Sequence, residues 1–364
     1  MGTDKTSDKK TDSIRRTPEG PLVGVAQIAP VLGDIDANLA KYREAVETAC
    51  SRNVDLLVLP ELSLSGYRLK DMVPEIALGR DSHIVAELTS LSSRLSLVAG
   101  FVEESPEHHF YNVAAYFEGG RLVSIHRKVY LPTYGMFDEQ RYFARGQGVR
   151  AFNTSHGRMA MLVCEDALHP SALTVAALDG ATTVIVPSAS PVKGVAGEGE
   201  VDANGRHWEA YNRAMARSLG IHLVYANRCG VEDGITFWGG SEILGPGGEQ
   251  LAKAAYYDED LITAVLSQSS VRQRRIQSPV LRDEDIDLTI NELCRIRGRQ
   301  RPDARSEARP DTRSESRGGD FRGRRDDDSR GGGGYRGKPG GDFRGRRDDD
   351  SRGGGGYRGK PGGD

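Results

Sequence analysis

Two rhythms of apolar and polar residues alternate between Pro21 and Leu266. Short apolar runs at 22–28, 54–59, 95–102, 159–163, 183–187 and 221–226 predict buried strands. Between them, apolar residues recur at helical spacing. Leu39, Tyr42, Ala45, Val46 and Ala49 fall on one face of a helix that Asp34-Ile35-Asp36 can cap and that reaches about Cys50. Further helices are predicted across 82–94, 170–178 and 208–219. Two strand-like stretches, 111–117 and 121–127, flank Gly119-Gly120 and predict a hairpin. Weaker strands at 241–244 and 261–266 close the pattern. Strands alternate with helices but hairpins interrupt them, so the pattern alone predicts an α/β domain built on a mixed sheet covered by helices.

After Leu266 the signal thins. Stretches 271–277 and 283–296 predict short helices in a C-terminal arm, 267–297. From 298 to 364 there is almost no apolar content, too little to offset the entropy of ordering, and the expectation is a disordered tail. Within it, residues 319–340 recur unchanged at 341–362. Each copy carries five Arg, one Lys and four Asp, so the pair contributes +4 against an overall −3, leaving about −7 on the remainder. The body is mildly acidic and the tail a Gly/Arg/Asp-rich basic polyampholyte. Neither matches a dedicated nucleic-acid-binding domain.

The first 20 residues are polar, with no apolar stretch of signal-peptide type, and are expected to be disordered. No run of about 18 apolar residues occurs, so no membrane-spanning helix and no membrane partner are expected. Cys50, Cys164, Cys229 and Cys294 form no C-x-x-C pair, which argues against structural zinc and a disulfide framework. A cytoplasmic location suits a working thiol.

Three signatures carry candidate chemistry: Pro60-Glu61-Leu62, His126-Arg127-Lys128 and Leu162-Val163-Cys164-Glu165-Asp166. Each ends a strand-like run, where an ionisable group is costly unless it is paired or placed in a site. Singly, each has an ordinary reading as a loop residue or a buried thiol. Together they supply a carboxylate base, a cation and a nucleophile at one sheet edge. Competing constellations are weaker. His126, His156, His169 and His207 lack a local pattern and read as surface or packing residues, and His108-His109 would point to opposite faces of a strand, which disfavours a metal site. The glycine clusters at 245–248 and 331–334 form no nucleotide-binding loop, so no cofactor is expected.

On these residues the chain resembles the nitrilase (carbon–nitrogen hydrolase) superfamily over residues 21–266. Within it, the stretches at 62–71, 127–146, 163–170, 187–191 and 225–241 are most similar to the glutaminase domain of glutamine-dependent NAD synthetase. The resemblance implies a four-layer α-β-β-α sandwich and hydrolysis of a small-molecule amide through a thioester. Glu61 is then general base and acid, Cys164 the nucleophile, and Lys128 with the Glu165 N–H the oxyanion donors, while Glu139 buttresses the site. Glu165, Tyr67 and Tyr134 match positions that hold glutamine, and Ser188 or Ser190 would line the same pocket. A glutamine-like or ω-amide substrate is favoured, with N-carbamoyl amides or nitriles as alternatives. Ala167-Leu168-His169 stand where relatives often carry an aromatic residue, which leaves the pocket's width open. The phosphate-binding loop of the synthetase domain is missing, so an ammonia-using synthetase is expected as a separate partner. The resemblance also implies a homo-oligomer. The alternative of another class is an RNA-binding or condensate-forming protein, resting on the RGG-like steps and on Phe321, Tyr335, Phe343 and Tyr357 of the tail. Asp326–328 and 348–350 weaken it by pairing with the arginines.

Overall fold

A computed structural model describes residues 20–193 and 202–299. The N-terminal segment before Gly20 and the repeat tail, with its proposed RNA contacts, lie outside the described residues. Chain contacts separate one compact unit, Met1–Cys294, from a second, Arg295–Asp364.

Fourteen strands occur among the described residues: β1 Leu22–Gln27, β2 Leu56–Val58, β3 Ser96–Glu104, β4 Phe110–Glu118, β5 Arg121–Arg127, β6 Ala151–Thr154, β7 Gly157–Met161, β8 Thr183–Ser188, β9 His222–Asn227, β10 Cys229–Glu232, β11 Ile235–Trp238, β12 Glu242–Leu244, β13 Gln250–Lys253 and β14 Asp260–Val265. The helices are α1 Ile35–Ser51, α2 Val73–Ile76, α3 His83–Leu91, α4 Glu165–Leu168, α5 Pro170–Leu178, α6 Ala203–Leu219, α7 Gln268–Gln277, α8 Val280–Asp283 and α9 Ile286–Arg299.

The strands form two six-stranded mixed sheets, ordered β14-β1-β2-β3-β4-β5 and β13-β12-β9-β8-β7-β6, while β10 and β11 form a separate two-stranded hairpin. The mixed sheet expected from the pattern is thus present twice. The reason is visible in the strands themselves, which are apolar on both faces. Leu56, Val58 and Val98 meet Met161, Val163, Ile185 and Val224 between the sheets. Leu57, Leu59, Leu97 and Ala99 point the other way, onto α1 and α3. Val184 and Val186 likewise face α5 and α6. Successive side chains leave a strand on opposite faces, so one apolar run serves two layers. The result is the α-β-β-α sandwich that the family resemblance implied.

Local signals set most boundaries. Asp34 caps α1 by accepting from Ala37 N at 2.9 Å, and Ser82 caps α3 by accepting from Val85 N. Gly119 and Gly120 take φ of +57° and +71° in the tight turn between β4 and β5. The helix expected across 283–296 is α9, which starts three residues later because Glu284 is extended (ψ 125°) at the end of α8. Strands β6, β10, β11 and β13 carry no clear run in the sequence, although Asp233-Gly234 marks the β10–β11 turn at φ +49° and +77°.

Candidate active site

The site gathers at the C-terminal ends of parallel strands from both sheets, where open α/β architectures place ligands. Glu61 follows β2 and is buried. Its Oε1 accepts from Asn112 Nδ2 and from Lys128 Nζ, each at 2.7 Å, and its Oε2 accepts from Ala189 N at 2.8 Å. The backbone at Glu61 runs against Gly100 of β3. A Cβ on Gly100 would lie 2.4 Å from Pro60 O and 2.7 Å from Leu62 N, so glycine is required there.

Lys128 extends β5 into the interior and is also buried. Asn112 holds it twice over, since its carbonyl accepts from Lys128 N at 2.9 Å while its side chain reaches Glu61. Lys128 Nζ donates to Glu61 Oε1 and to Glu139 Oε1, both at 2.7 Å. Tyr67 OH donates to the same Glu139 oxygen at 2.5 Å. Burial alone pulls Lys128 down, but the carboxylates of Glu139 and Glu61 outweigh it and hold the ammonium well above its ordinary range. Burial raises the Glu139 carboxyl, and Glu61 adds to this, against the pull of Lys128.

Cys164 stands at the corner between β7 and α4 with φ +47° and ψ −103°, a conformation that costs a side-chain-bearing residue about 1–3 kcal/mol and is typical of functional positions. Its N–H donates to Pro187 O at 2.9 Å. Burial pushes the thiol well above its usual range and Glu61 pushes it further, with Lys128 opposing. The resting group is a thiol, so it needs a base to become a nucleophile. Tyr67, Tyr134 and Tyr225 all feel the charge that Cys164 would carry. The structure thus brings Glu61, Lys128, Glu139 and Cys164 into one cluster.

The expected pocket residues are distributed around it. Glu165 accepts from Tyr134 OH at 2.9 Å, and both line a cavity of about 640 Å³ with Thr133, Gln140, Arg145 and His169. Tyr67 and Glu139 line a second cavity of about 240 Å³. Ser188 is fully buried at the end of β8. Ser190 is buried as well, and its hydroxyl already accepts from Asn204 Nδ2 at 2.9 Å.

Sequence reasoning missed Asn112, Gly100 and above all Asp166. Asp166 Oδ1 accepts from Val129 N at 2.9 Å and Tyr130 N at 2.8 Å, and Oδ2 accepts from Val163 N at 3.0 Å and His126 Nε2 at 2.7 Å. One buried carboxylate therefore ties the Lys128 segment to the Cys164 corner. His126, expected to be a surface or packing residue, is instead buried as its partner. The signal available was the acidic residue two places after Cys164, at the end of an apolar run where an idle loop charge is costly. No group of metal-binding side chains occurs among the described residues. No helix among them is long and apolar enough to cross a membrane.

The chain is similar to known proteins in sequence and in fold. The carbon–nitrogen hydrolase family profile matches residues 22–276. Over 253 residues the chain is 30% identical to the glutamine-dependent NAD(+) synthetase of Acinetobacter baylyi, covering 70% of this chain and 45% of that protein. It is 29% identical over 289 residues to the chloroplastic omega-amidase of Arabidopsis thaliana, covering 74% of this chain and 75% of that protein. The crystal structure of a carbon–nitrogen hydrolase from Helicobacter pylori G27 superposes with a TM-score of 0.68 at 28% identity, covering 75% of this chain and 98% of that one. The chain spans less than half the length of the NAD synthetase it matches. With the family profile spanning residues 22–276, which include both sheets, the chain belongs to the carbon–nitrogen hydrolase family.

Proposed function

We propose that this protein is a thiol-dependent amidohydrolase that cleaves the C–N bond of a small ω-amide and releases ammonia. Family membership makes it a hydrolase of non-peptide C–N bonds. The observation that carries the finer reading is the buried Glu61–Lys128–Glu139 chain around a protonated thiol.

The Cys164 proton passes to Glu61 as the sulfur bonds to the amide carbon. An ammonium has three N–H donors. Two of those on Lys128 are spent on Glu61 and Glu139, and the third is left for the oxyanion, beside the Glu165 N–H at the start of α4. The tetrahedral adduct collapses, the C–N bond breaks, and the nitrogen takes the Glu61 proton and leaves as ammonia. Water then gives a proton to Glu61 and its oxygen to the thioester carbon. Breaking the C–S bond releases the acid, and the proton returns to sulfur. Glu165, held by Tyr134, offers a carboxylate to the α-ammonium of a glutamine-like substrate, with Tyr67, Ser188 and Ser190 as further pocket residues. The similar proteins include a glutamine-dependent synthetase and an omega-amidase but also a probable nitrilase and an N-carbamoylputrescine amidase, so the preference for an ω-amide rests on the Glu165 carboxylate held by Tyr134. A homo-oligomer and a separate ammonia-using synthetase complete the reading.

The test is ammonia release from glutamine, asparagine, other ω-amides, N-carbamoyl compounds and nitriles, run beside Cys164→Ala. Turnover of ω-amides that vanishes in the variant is expected. Activity retained without the thiol, or confined to another substrate class, would refute the proposal.

A further inference from the structure

The β10–β11 hairpin belongs to neither large sheet, yet it holds a fully buried ion pair. Arg228, just before β10, and Glu232, at its end, are 1% and 4% exposed and pair directly. The Arg228 guanidinium also lies over the Phe237 ring, 4.2 Å from its centroid. A buried pair of this kind stabilises no better than two well-packed apolar residues, so stability alone does not account for it. Its geometry does. Glu232 Oε1 accepts from Tyr67 N at 2.9 Å and from Arg68 N at 2.7 Å. It therefore fixes the backbone of the residue whose hydroxyl donates to Glu139, which in turn holds Lys128. Phe237 of the same hairpin packs edge-on against the Tyr67 ring at 6.1 Å. The opposite wall is tied to the hairpin too. Val192 N donates to Thr236 O at 2.8 Å, and Asn227, next to Arg228, accepts from Ser190 N at 2.8 Å.

We infer that Glu232, oriented by Arg228, is a positioning residue that sets the Tyr67 hydroxyl on Glu139 and so the geometry of the Lys128 ammonium. The inference rests on the amidohydrolase reading for its effect on turnover, but not for its effect on the Tyr67 backbone. What matters at position 232 is an acceptor oxygen rather than a charge. Two paired variants separate these: Arg228→Met/Glu232→Gln keeps the acceptor, and Arg228→Met/Glu232→Leu removes it, with neither leaving a buried charge unpaired.

The experiment measures kcat and KM for the amide turned over by the full chain, and amide hydrogen exchange at Tyr67 and Arg68. The Leu pair should lose about 10–100-fold in kcat/KM, mostly in kcat, the scale of a small misplacement at a reacting centre. The Gln pair should stay within about threefold of the unmodified chain, and adding the Leu pair to Tyr67→Phe should cost nothing further. Equal activity of the two pairs, or an undiminished loss in the Tyr67→Phe background, would overturn the inference. Exchange decides it without turnover. Both amides should be protected in the unmodified chain and the Gln pair and exposed in the Leu pair. Unprotected amides in the unmodified chain overturn it even where the Leu pair does not fold. If no amide is hydrolysed at all, the functional proposal fails while exchange still judges the latch.

Discussion

Asp166 offers the most direct quantitative test of how the site is held. In Asp166→Asn the remaining oxygen can keep the Val129 and Tyr130 N–H groups, now at 2.9 and 2.8 Å. The new amide nitrogen then faces two former donors, Val163 N at 3.0 Å and His126 Nε2 at 2.7 Å. His126 can switch tautomer and accept, which recovers one contact. Val163 N–H cannot switch and is left against another donor in the interior. One lost charge-assisted bond at about 1.5–3 kcal/mol, plus weakening of the others to neutral strength, gives about 2–4 kcal/mol. Asp166→Ala removes every acceptor and orphans three backbone N–H groups, which at about 1–3 kcal/mol each amounts to about 3–9 kcal/mol. Urea unfolding at matched m-values, alongside kcat/KM at a temperature where each variant is folded, measures both consequences. An Ala variant within about 1 kcal/mol of the unmodified chain, or an Asn variant less stable than the Ala variant, would refute the reasoning.

Gly100→Ala should cost about 2–3 kcal/mol in unfolding experiments and lower activity, because the new methyl meets only backbone, at Pro60 and Leu62, and can relax only by moving Glu61. Lys128→Met leaves two buried carboxylates without their shared cation. It should cost about 3–5 kcal/mol in stability by urea unfolding and at least about 10²-fold in kcat. Glu139 has its carboxyl raised, by burial first and then by Glu61, from 4.5 to about 7. A raised carboxyl contributes stability that is present below its ordinary value and is lost as pH climbs through the folded one. Glu139→Gln removes this titration, so its stability relative to the unmodified chain should improve between about pH 4.5 and 7. A constant gap across that window in equilibrium unfolding would count against the assignment.

The sequence was most legible where burial and periodicity act locally. The runs around Leu56–Val58, Gly157–Met161 and Thr183–Ser188 are strands, and the three groups that follow apolar runs, Glu61, Lys128 and Cys164, meet in space. Partners supplied from a distance were not legible. Asn112 lies mid-strand in β4, where nothing nearby in sequence distinguishes it from any polar residue on a solvated face, and its use depends on β4 pairing between β3 and β5. His126 faces the interior only because the second sheet stands there with Asp166. The β10–β11 hairpin escaped because Cys229–Glu232 has a single polar–apolar alternation and a buried charge, so only its Asp-Gly turn spoke for it. Two-faced apolar strands announce burial without saying how many sheets share it, and the family resemblance was needed to separate one sheet from two.

The seam between the sheets has a consequence for how this enzyme would fail. Glu61 and Lys128 hang from one sheet, whereas Cys164 and the Ala189 N–H that steadies Glu61 hang from the other. What registers the two halves is the apolar layer of Val58, Val98, Met161, Ile185 and their neighbours, together with the Asp166 contacts that cross it. Slippage of about 1 Å along that layer would leave each sheet intact and draw Glu61 and Lys128 away from Cys164, which under the proposed mechanism would cost about 10²-fold in rate. Activity is thus a gauge of interlayer alignment, and on warming or under pressure it should fade while the secondary structure still reads as native.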